Sequence, residues 1–436
     1  TGGRQNEWLD RLEAEHANLR AALVWAFAAG DEEVEIGARL CLALSKFFLR
    51  RGHWTEGRRA TEEALERLDR ALPAAEDERA RRLRELRARL LHFAGVVANR
   101  QGDYAVANER LGASIELWRT LGTQPARFAE VLQEVGTLSV LRDDYDRADR
   151  ALSEALQIYR GMGNRQGMAS VLNLLGFLAM VLGQFDRSEA FLREAVDLFS
   201  EMGDQWGTTR TEQMIAVVAR NRGDFAIAEE LLERVLESSN RLGNKSGTAA
   251  ALGEMGLVAL AQGRLDRAEE LTQEVMGIYE SLGGVNAWTQ GKVVLGLIAL
   301  NRGRLDEAAG SLRGALETFH EEHARYDMGT CLMALAGVAA ASGRGRRAAR
   351  LMGASEAVYR RLGAHMDYFG RTIGANLTSR LEATLGPDLF AEARDQGRDM
   401  NTEQAYEYAV ETAAEYEMGS GSHVLPNGSR PTLAAP

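Results

Sequence analysis

Apolar positions along most of the chain fall into two alternating stripes, each about one helix long. They are clearest between Gly163 and Gly203, in GNRQGMASVLNLLGFLAMVLGQFDRSEAFLREAVDLFSEMG. Leu172, Leu175, Gly176 and Ala179 stand at i, i+3, i+4 and i+7 and so share one helical face. Ser188, Leu192, Ala195 and Phe199 make the next stripe. Gly183 between them reads as a C-terminal stop, and Asp186 with Glu189 as a capping box opening the second helix. The pattern predicts a helical hairpin.

The hairpin recurs. The small residue of its first helix reappears as Gly95, Gly136, Gly176, Ala216, Gly256, Gly296 and Ala336, at one step of 41 and five of 40. Nine residues later a bulky corner residue follows (Tyr104, Tyr145, Phe185, Phe225, Leu265, Leu305) until Gly345 breaks the series. Three further on come Ala107, Ala148, Ser188, Ala228, Ala268, Ala308 and Ala348, and Trp118, Tyr159, Phe199, Tyr279, Phe319 and Tyr359 close second helices. One hairpin is too thin to bury its own apolar face, so neighbours must stack. These residues resemble tetratricopeptide repeats in a long, 40-residue form, from about Arg79 to Gly363. The period carries the resemblance more than any motif does. The bulky residue four before the small one is Leu91, Leu132, Leu172, Leu252 and Leu332, but Glu212 and Lys292 elsewhere. The resemblance implies an all-α, right-handed superhelical solenoid of about eight hairpins with a helical C-terminal cap.

The flanks vary the theme. Asn6 to Ala29 reads as one helix, buried along Trp8, Leu12, Leu19 and Leu23 and ended by Gly30-Asp31. A second helix carries Cys41, Leu44, Phe47 and Phe48 to Gly52, and a third runs from Thr55 to Leu72, where Pro73 stops it. Trp54 takes the corner, and the 50-residue step from there to Tyr104 marks an insertion of about ten residues. Beyond Gly363 the pattern predicts helices from Tyr368 to Leu385, to Gln396, and from Thr402 to about Glu415. The expected organisation is divergent hairpins over 1–75, repeats over 76–363, capping helices over 364–417 and a flexible, linker-like tail over 418–436.

A net charge of −11 opposes nucleic-acid binding by this chain, since counterion release needs clustered cations. No run of eighteen apolar residues would span a membrane, and no signal peptide precedes Trp8. Cys41 and Cys331 lie in apolar helical segments without a CxxC pair, which fits buried thiols in a reducing, cytoplasmic setting. Arg79, Arg81, Arg82, Arg84, Arg87 and Arg89 read as a solvated helix face paired with Glu62, Glu63 and Glu66.

Catalytic signatures are missing. Gly243-Asn-Lys245-Ser246 lacks the spacing of a P-loop, and no GxSxG occurs. His320 and His323 bracket two glutamates, where a shared helical face would offer two metal ligands and no third. A non-enzymatic chain without cofactor or metal is expected.

WLDRLEAEHANLRAALVWAFAAGD at the N-terminus resembles the segment after the ATPase and winged-helix parts of bacterial STAND regulators, the large LuxR-type and MalT-like activators. RAARLMGASEAVYRRLGA, followed by LGPDLFAEARDQGRDMNTEQAYEYAV, resembles the end of their helical-repeat region. The resemblance implies a sensor domain that receives a protein, peptide or small-molecule inducer, with ATPase and DNA-binding modules in the parent protein. A free-standing scaffold or peptide receptor is the alternative. In tetratricopeptide stacks the first helices line the inner surface. One residue along from the packing stripe, the inward set becomes His92 and Asn99; Glu130, Gln133 and Thr137; Ser170, Asn173, Phe177 and Met180; and Arg210, Gln213 and Arg220. Leu257, Leu260, Val293, Leu297 and Leu300 continue it, so the groove would be polar first and apolar later, the alternative being that the leucines pack against the C-terminal cap and the amides are solvated surface.

Overall fold

The computed structural model describes residues 5–28, 33–73, 77–122, 124–282 and 286–418, and among them there are 21 helices and no strand. The fold is an all-α solenoid of tetratricopeptide-like hairpins. The chain divides into two compact units, Thr1–Val171 and Leu172–Pro436.

The first unit holds α1 (Gln5–Ala14), α2 (His16–Ala28), and the hairpins α3 (Val34–Arg51) with α4 (Trp54–Ala71), α5 (Glu78–Arg100) with α6 (Tyr104–Leu121), and α7 (Pro125–Leu141) with α8 (Tyr145–Gly161). Consecutive hairpins stack through α4 on α5 and α6 on α7, and first helices touch as α3 on α5 and α5 on α7. α9 (Arg165–Val181) contains the division between the units.

In the second unit the hairpins are α11 (Gln205–Arg222) with α12 (Phe225–Arg241), α13 (Lys245–Ala261) with α14 (Leu265–Leu282), α15 (Asn286–Asn301) with α16 (Leu305–Glu321), and α17 (Arg325–Ala341) with α18 (Gly345–Leu362), preceded by α10 (Phe185–Glu201). α19 (Tyr368–Leu385), α20 (Pro387–Arg398) and α21 (Thr402–Met418) close this end. α21 packs on α16, and α20 on α18 at a crossing where Gly353 meets the Arg394 carbonyl and Gly397 the Arg350 carbonyl.

The repeated small residue works as the spacing suggests. A Cβ placed on Gly176 would lie 2.5 Å from Leu192, one on Gly136 2.5 Å from Leu152, and one on Gly95 2.6 Å from Leu111. Each partner is the leucine sixteen residues on, and Leu192 is fully buried. Ser188 adds a hydrogen bond, donating its hydroxyl to the Gly176 carbonyl at 2.6 Å. At Gly256 the partner position is Thr272, and the nearest atom stands 3.5 Å away.

Several local readings need correction. The first helix is two, α1 and α2, divided by a turn at Glu15, which still donates to the Arg11 carbonyl at 3.1 Å and accepts from the Leu19 amide at 2.9 Å. α10 begins at Phe185 behind Gln184, whose side chain makes no capping bond, so Asp186 and Glu189 form no capping box. Asp186 already sits in the first turn, where it complements the helix dipole and pairs with Arg222 at 2.9 Å. Glu62, Glu63 and Glu66 pair within their own helix with Arg58, Arg67 and Arg70, whereas Arg87 pairs with Asp69 and Arg82 with Glu35 and Glu78. His323 lies in a turn at φ 58°, off the helix that carries His320, and His320 pairs with Glu403 at 2.9 Å while stacking on Tyr406. The Gly30-Asp31 stop and the tail from residue 419 fall outside the described residues.

Substitution to alanine should therefore act oppositely at two equivalent positions. Gly176→Ala is expected to cost about 1–3 kcal/mol by overpacking Leu192. Gly256→Ala, with room for its methyl, should gain up to about 1 kcal/mol of helix propensity. Urea denaturation of the two variants decides. Equal shifts in the same direction would refute the close-crossing account.

Candidate functional site

The expected groove residues lie on first helices but meet different fates in the two units. In the first unit His92, Asn99, Glu130, Gln133, Thr137 and Ser170 are half-buried. Arg89, one turn before His92 on α5, lines a cleft with Arg39, Arg82, Glu35, Glu85 and Gln124. Most of these groups are satisfied: Arg39 pairs with Glu35 at 2.6 Å, Gln124 donates to Glu85 at 2.6 Å, and Arg127 pairs with Glu130 at 2.8 Å. Arg89 makes no hydrogen bond or ion pair among the described residues. Burial, and then Arg127, pull its pKa down, with Arg39 adding to the effect and Glu130 and Glu85 opposing it. The Nε2 of His92 is buried with no hydrogen-bond partner. Burial holds its pKa down at about 4, Glu130 opposing and Arg127 adding. Burial likewise pushes the Glu134 carboxyl up. The buried, partnerless Nε2 of His92 thus stands three residues along the helix from the half-buried Arg89.

In the second unit the same surface is occupied by the chain itself. Between α18 and α19, Ala364 to Asp367 run without helix. The His365 amide donates to the Val181 carbonyl at 2.8 Å, and the Tyr368 amide to Asn221 Oδ1 at 3.1 Å. Tyr326 donates its hydroxyl to the His365 carbonyl at 3.2 Å. Arg371 donates to the Asn221 carbonyl and, at 2.6 Å, to that of Met366. His365 meets Phe185 edge-on and Tyr368 meets Phe225 edge-on at 5.1 Å. Gly183 takes φ 74° and leaves no room for a side chain beneath His365. Asp367 caps α19 by accepting from the Gly370 amide at 2.7 Å.

Beneath this strap lies a buried charge pair, Arg220 Nε to Glu254 at 2.8 Å, with the Arg220 side chain only 8% exposed. Burial works against the guanidinium's charge, but Glu254 and Asp367 more than offset it. Asp367 itself is pushed up by burial, held back by its capping bond and by Arg220 and Arg371.

Of the other expected groove residues, Asn173 is buried and donates to Thr211 at 2.8 Å, and Met180 accepts weakly from Asn221. Gln213, Phe177 and Leu257 are half-buried and Arg210 is exposed. Leu260, Val293, Leu297 and Leu300 are buried, so the apolar half of the expected groove is packed interior and offers no open wall. α19 lies on α17 there, and Gly337 fits between Leu300 and Ile373. Arg89, Asn221, Glu254, Tyr326 and the strap were not among the expected residues. The polar Arg220, Asn221 and Glu254 at otherwise apolar first-helix positions were the available signal.

No nucleophile stands out among the thiols. Burial pushes Cys41 up to about 11, with Thr61 opposing, and pushes Cys331 up as well. Groups that could share a cation lie elsewhere, where Glu13, His16 and His53 converge in the first unit. No helix among the described residues is long and apolar enough to cross a membrane.

The model of the MalT-like TPR region matches residues 136–361, over half of the sequence. The chain belongs to that family of tetratricopeptide domains. No curated protein matches it in sequence. Among solved structures it resembles aspartyl phosphate phosphatase F from Bacillus subtilis, at 12% identity over 74% of this chain and 94% of that one, with a TM-score of 0.57. It also resembles a Rap protein complexed with Competence and Sporulation Factor (13% identity, 80% of this chain and 100% of that one, TM-score 0.54). A third likeness is NprR in complex with its cognate peptide NprX (14% identity, 69% and 84%, TM-score 0.51). At these identities the likeness establishes the fold.

Two outcomes are expected. As pH falls from 6.5 towards 4 the unfolded chain takes up a proton on His92 that the buried ring refuses, so this group's contribution to stability is lost across that window. Thermal melts of His92→Gln should show a flatter dependence there, and an unchanged profile would remove His92 as the cause. Arg371→Ala should speed hydrogen exchange at the His365 and Tyr368 amides while leaving the α13 and α15 helices protected. Simultaneous loss of protection everywhere would mean that the strap is inseparable from the core.

Proposed function

We propose that this domain is the ligand- or partner-sensing and protein-interaction part of a STAND-type transcriptional regulator, non-enzymatic, cytoplasmic, and dependent on separate ATPase and DNA-binding modules. Membership in the MalT-like TPR region family supports the regulator half of this reading. The sensing half rests on one observation, the arginine-lined cleft of the first unit, where the half-buried Arg89 has no protein partner among the described residues and the Nε2 of the neighbouring His92 is buried without one. Groups left unpaired in a half-buried site cost free energy until something supplies their partners. A planar guanidinium with free donors is suited to a carboxylate, such as an acidic side chain or the free C-terminus of a peptide. Two proteins of similar fold are seen in complex with a factor or a cognate peptide, which makes a peptide the first partner to try.

Two measurements test the two halves. A peptide array over the purified chain should capture acidic or free-carboxylate peptides in preference to amidated, neutral ones. Arg89→Ala should weaken that capture roughly 10–100-fold, the worth of one charge-assisted hydrogen-bonded contact. Capture indifferent to Arg89 would refute the cleft assignment. Separately, the reading frame upstream of Thr1 should encode a nucleotide-binding P-loop. A start codon directly before it would instead favour a free-standing scaffold.

A further inference from the structure

Four side chains converge at the N-terminal end of the first unit, each brought by a different piece of backbone. Glu13 sits in the last turn of α1, and His16 opens α2. Gly52, at φ 77°, turns the chain out of α3 so that His53 precedes α4, and Glu56 lies in the first turn of that helix. His53 Nε2 is 3.1 and 3.2 Å from the two oxygens of Glu13. His16 Nε2 is 2.9 Å from Glu56 Oε2. One ligand atom each from Glu13, His16 and His53 fall within 4.8 Å of one another, and the two imidazole rings stand 4.4 Å apart.

Around a tetrahedral ion with bonds of about 2.0–2.2 Å, donor atoms sit roughly 3.3–3.5 Å apart. The Glu13–His53 and His16–Glu56 pairs are already close to that spacing, and drawing the Glu13, His16 and His53 donors together asks for about 1 Å of movement. A second observation points to the same vacancy in the bonding. His16 Nε2 is buried and makes no hydrogen bond, because its direction misses the nearby Glu56 oxygen. Phe47 lies 5.4 Å from the His16 ring and 5.2 Å from that of His53, giving both an apolar wall. Outside them Arg20 holds Glu56 at 3.1 Å, and Arg51 reaches Glu13 at 3.9 Å, as outer-shell partners orient ligands in metal sites.

We propose that Glu13, His16 and His53, with Glu56 as the fourth donor, bind one divalent transition-metal ion of the zinc class. Two imidazoles with carboxylates suit that class and not calcium or magnesium, which take all-oxygen shells. The ion clips α1 onto the first hairpin. That helix otherwise rests mainly on α2 and α3. The histidines lie 37 residues apart in no local motif, which is why motif reading led to the expectation of no metal.

The test is zinc titration of the full chain, first stripped with chelator, against a competing fluorescent indicator, with cobalt as a spectroscopic substitute. One equivalent should bind and raise the melting temperature. Cobalt should give the intense visible bands of a four-coordinate site. His16→Ala and His53→Ala should each weaken binding by more than the roughly 10–100-fold that loss of an outer-shell partner costs. His53 makes no capping bond, so α4 should survive its replacement, as far-ultraviolet circular dichroism would confirm. His320→Ala, at the other exposed His–Glu pair, should change nothing. Absence of saturable binding at micromolar zinc, or binding that ignores both His16 and His53, overturns the proposal and leaves two ordinary His–Glu contacts.

Discussion

Most hairpins here are held by a leucine resting where another helix has almost no side chain. Leu192 against Gly176, Leu152 against Gly136 and Leu312 against Gly296 repeat one contact. Burying such a leucine contributes about 1.5–3 kcal/mol, but only while the facing residue stays small. A single hairpin exposes its remaining apolar faces, so stability accumulates through neighbours and not through one central core. The aromatic residues that close second helices serve this stacking, with Tyr159 laid on Gly167 and Phe199 on Gly207 at the start of the following helix. Everything that could bind a partner depends on this geometry, because it fixes which side of each first helix is left over.

What is left over differs between the units. In the second, polar first-helix residues are largely consumed internally: Asn173 by Thr211, Asn221 by the strap and Arg220 Nε by Glu254, though Arg220 Nη1 stays buried without a partner. In the first, the Nε2 of His92 is left wanting and Arg89 has no carboxylate of its own. Desolvation explains both outcomes. A buried guanidinium persists in the second unit because carboxylates face it, whereas in the first another arginine, Arg127, stands near it and raises the cost of its charge.

The repeat was legible in the sequence because one contact, recurring every 40 residues, leaves a glycine or alanine each time and in most hairpins a leucine sixteen residues on. Helix ends were legible to within a residue or two where glycine takes a left-handed turn, as at Gly183. The strap was not, since it depends on Asp367, Tyr368 and Arg371 meeting residues some 150 positions earlier, a separation no local periodicity encodes. The Gly353–Gly397 crossing escaped for the same reason, as did the convergence of His16 with His53. The inward-facing rotation found the right helices, and of its two readings for the leucines the packed interior is the one observed for Leu260, Val293, Leu297 and Leu300. Burial of Leu297 and Leu300 is decided by α17 and α19, not by their own helix.

The strap has a thermodynamic consequence for any visitor to the second unit. An incoming chain meets a resident competitor already tethered beside it, and its apparent affinity falls by the fraction of time that the strap is away. Weakening Arg371 or Asn221 would thus move the concentration at which a visitor is noticed without altering a single contact that the visitor makes. Sensitivity and selectivity would then be set by different residues, and could drift independently.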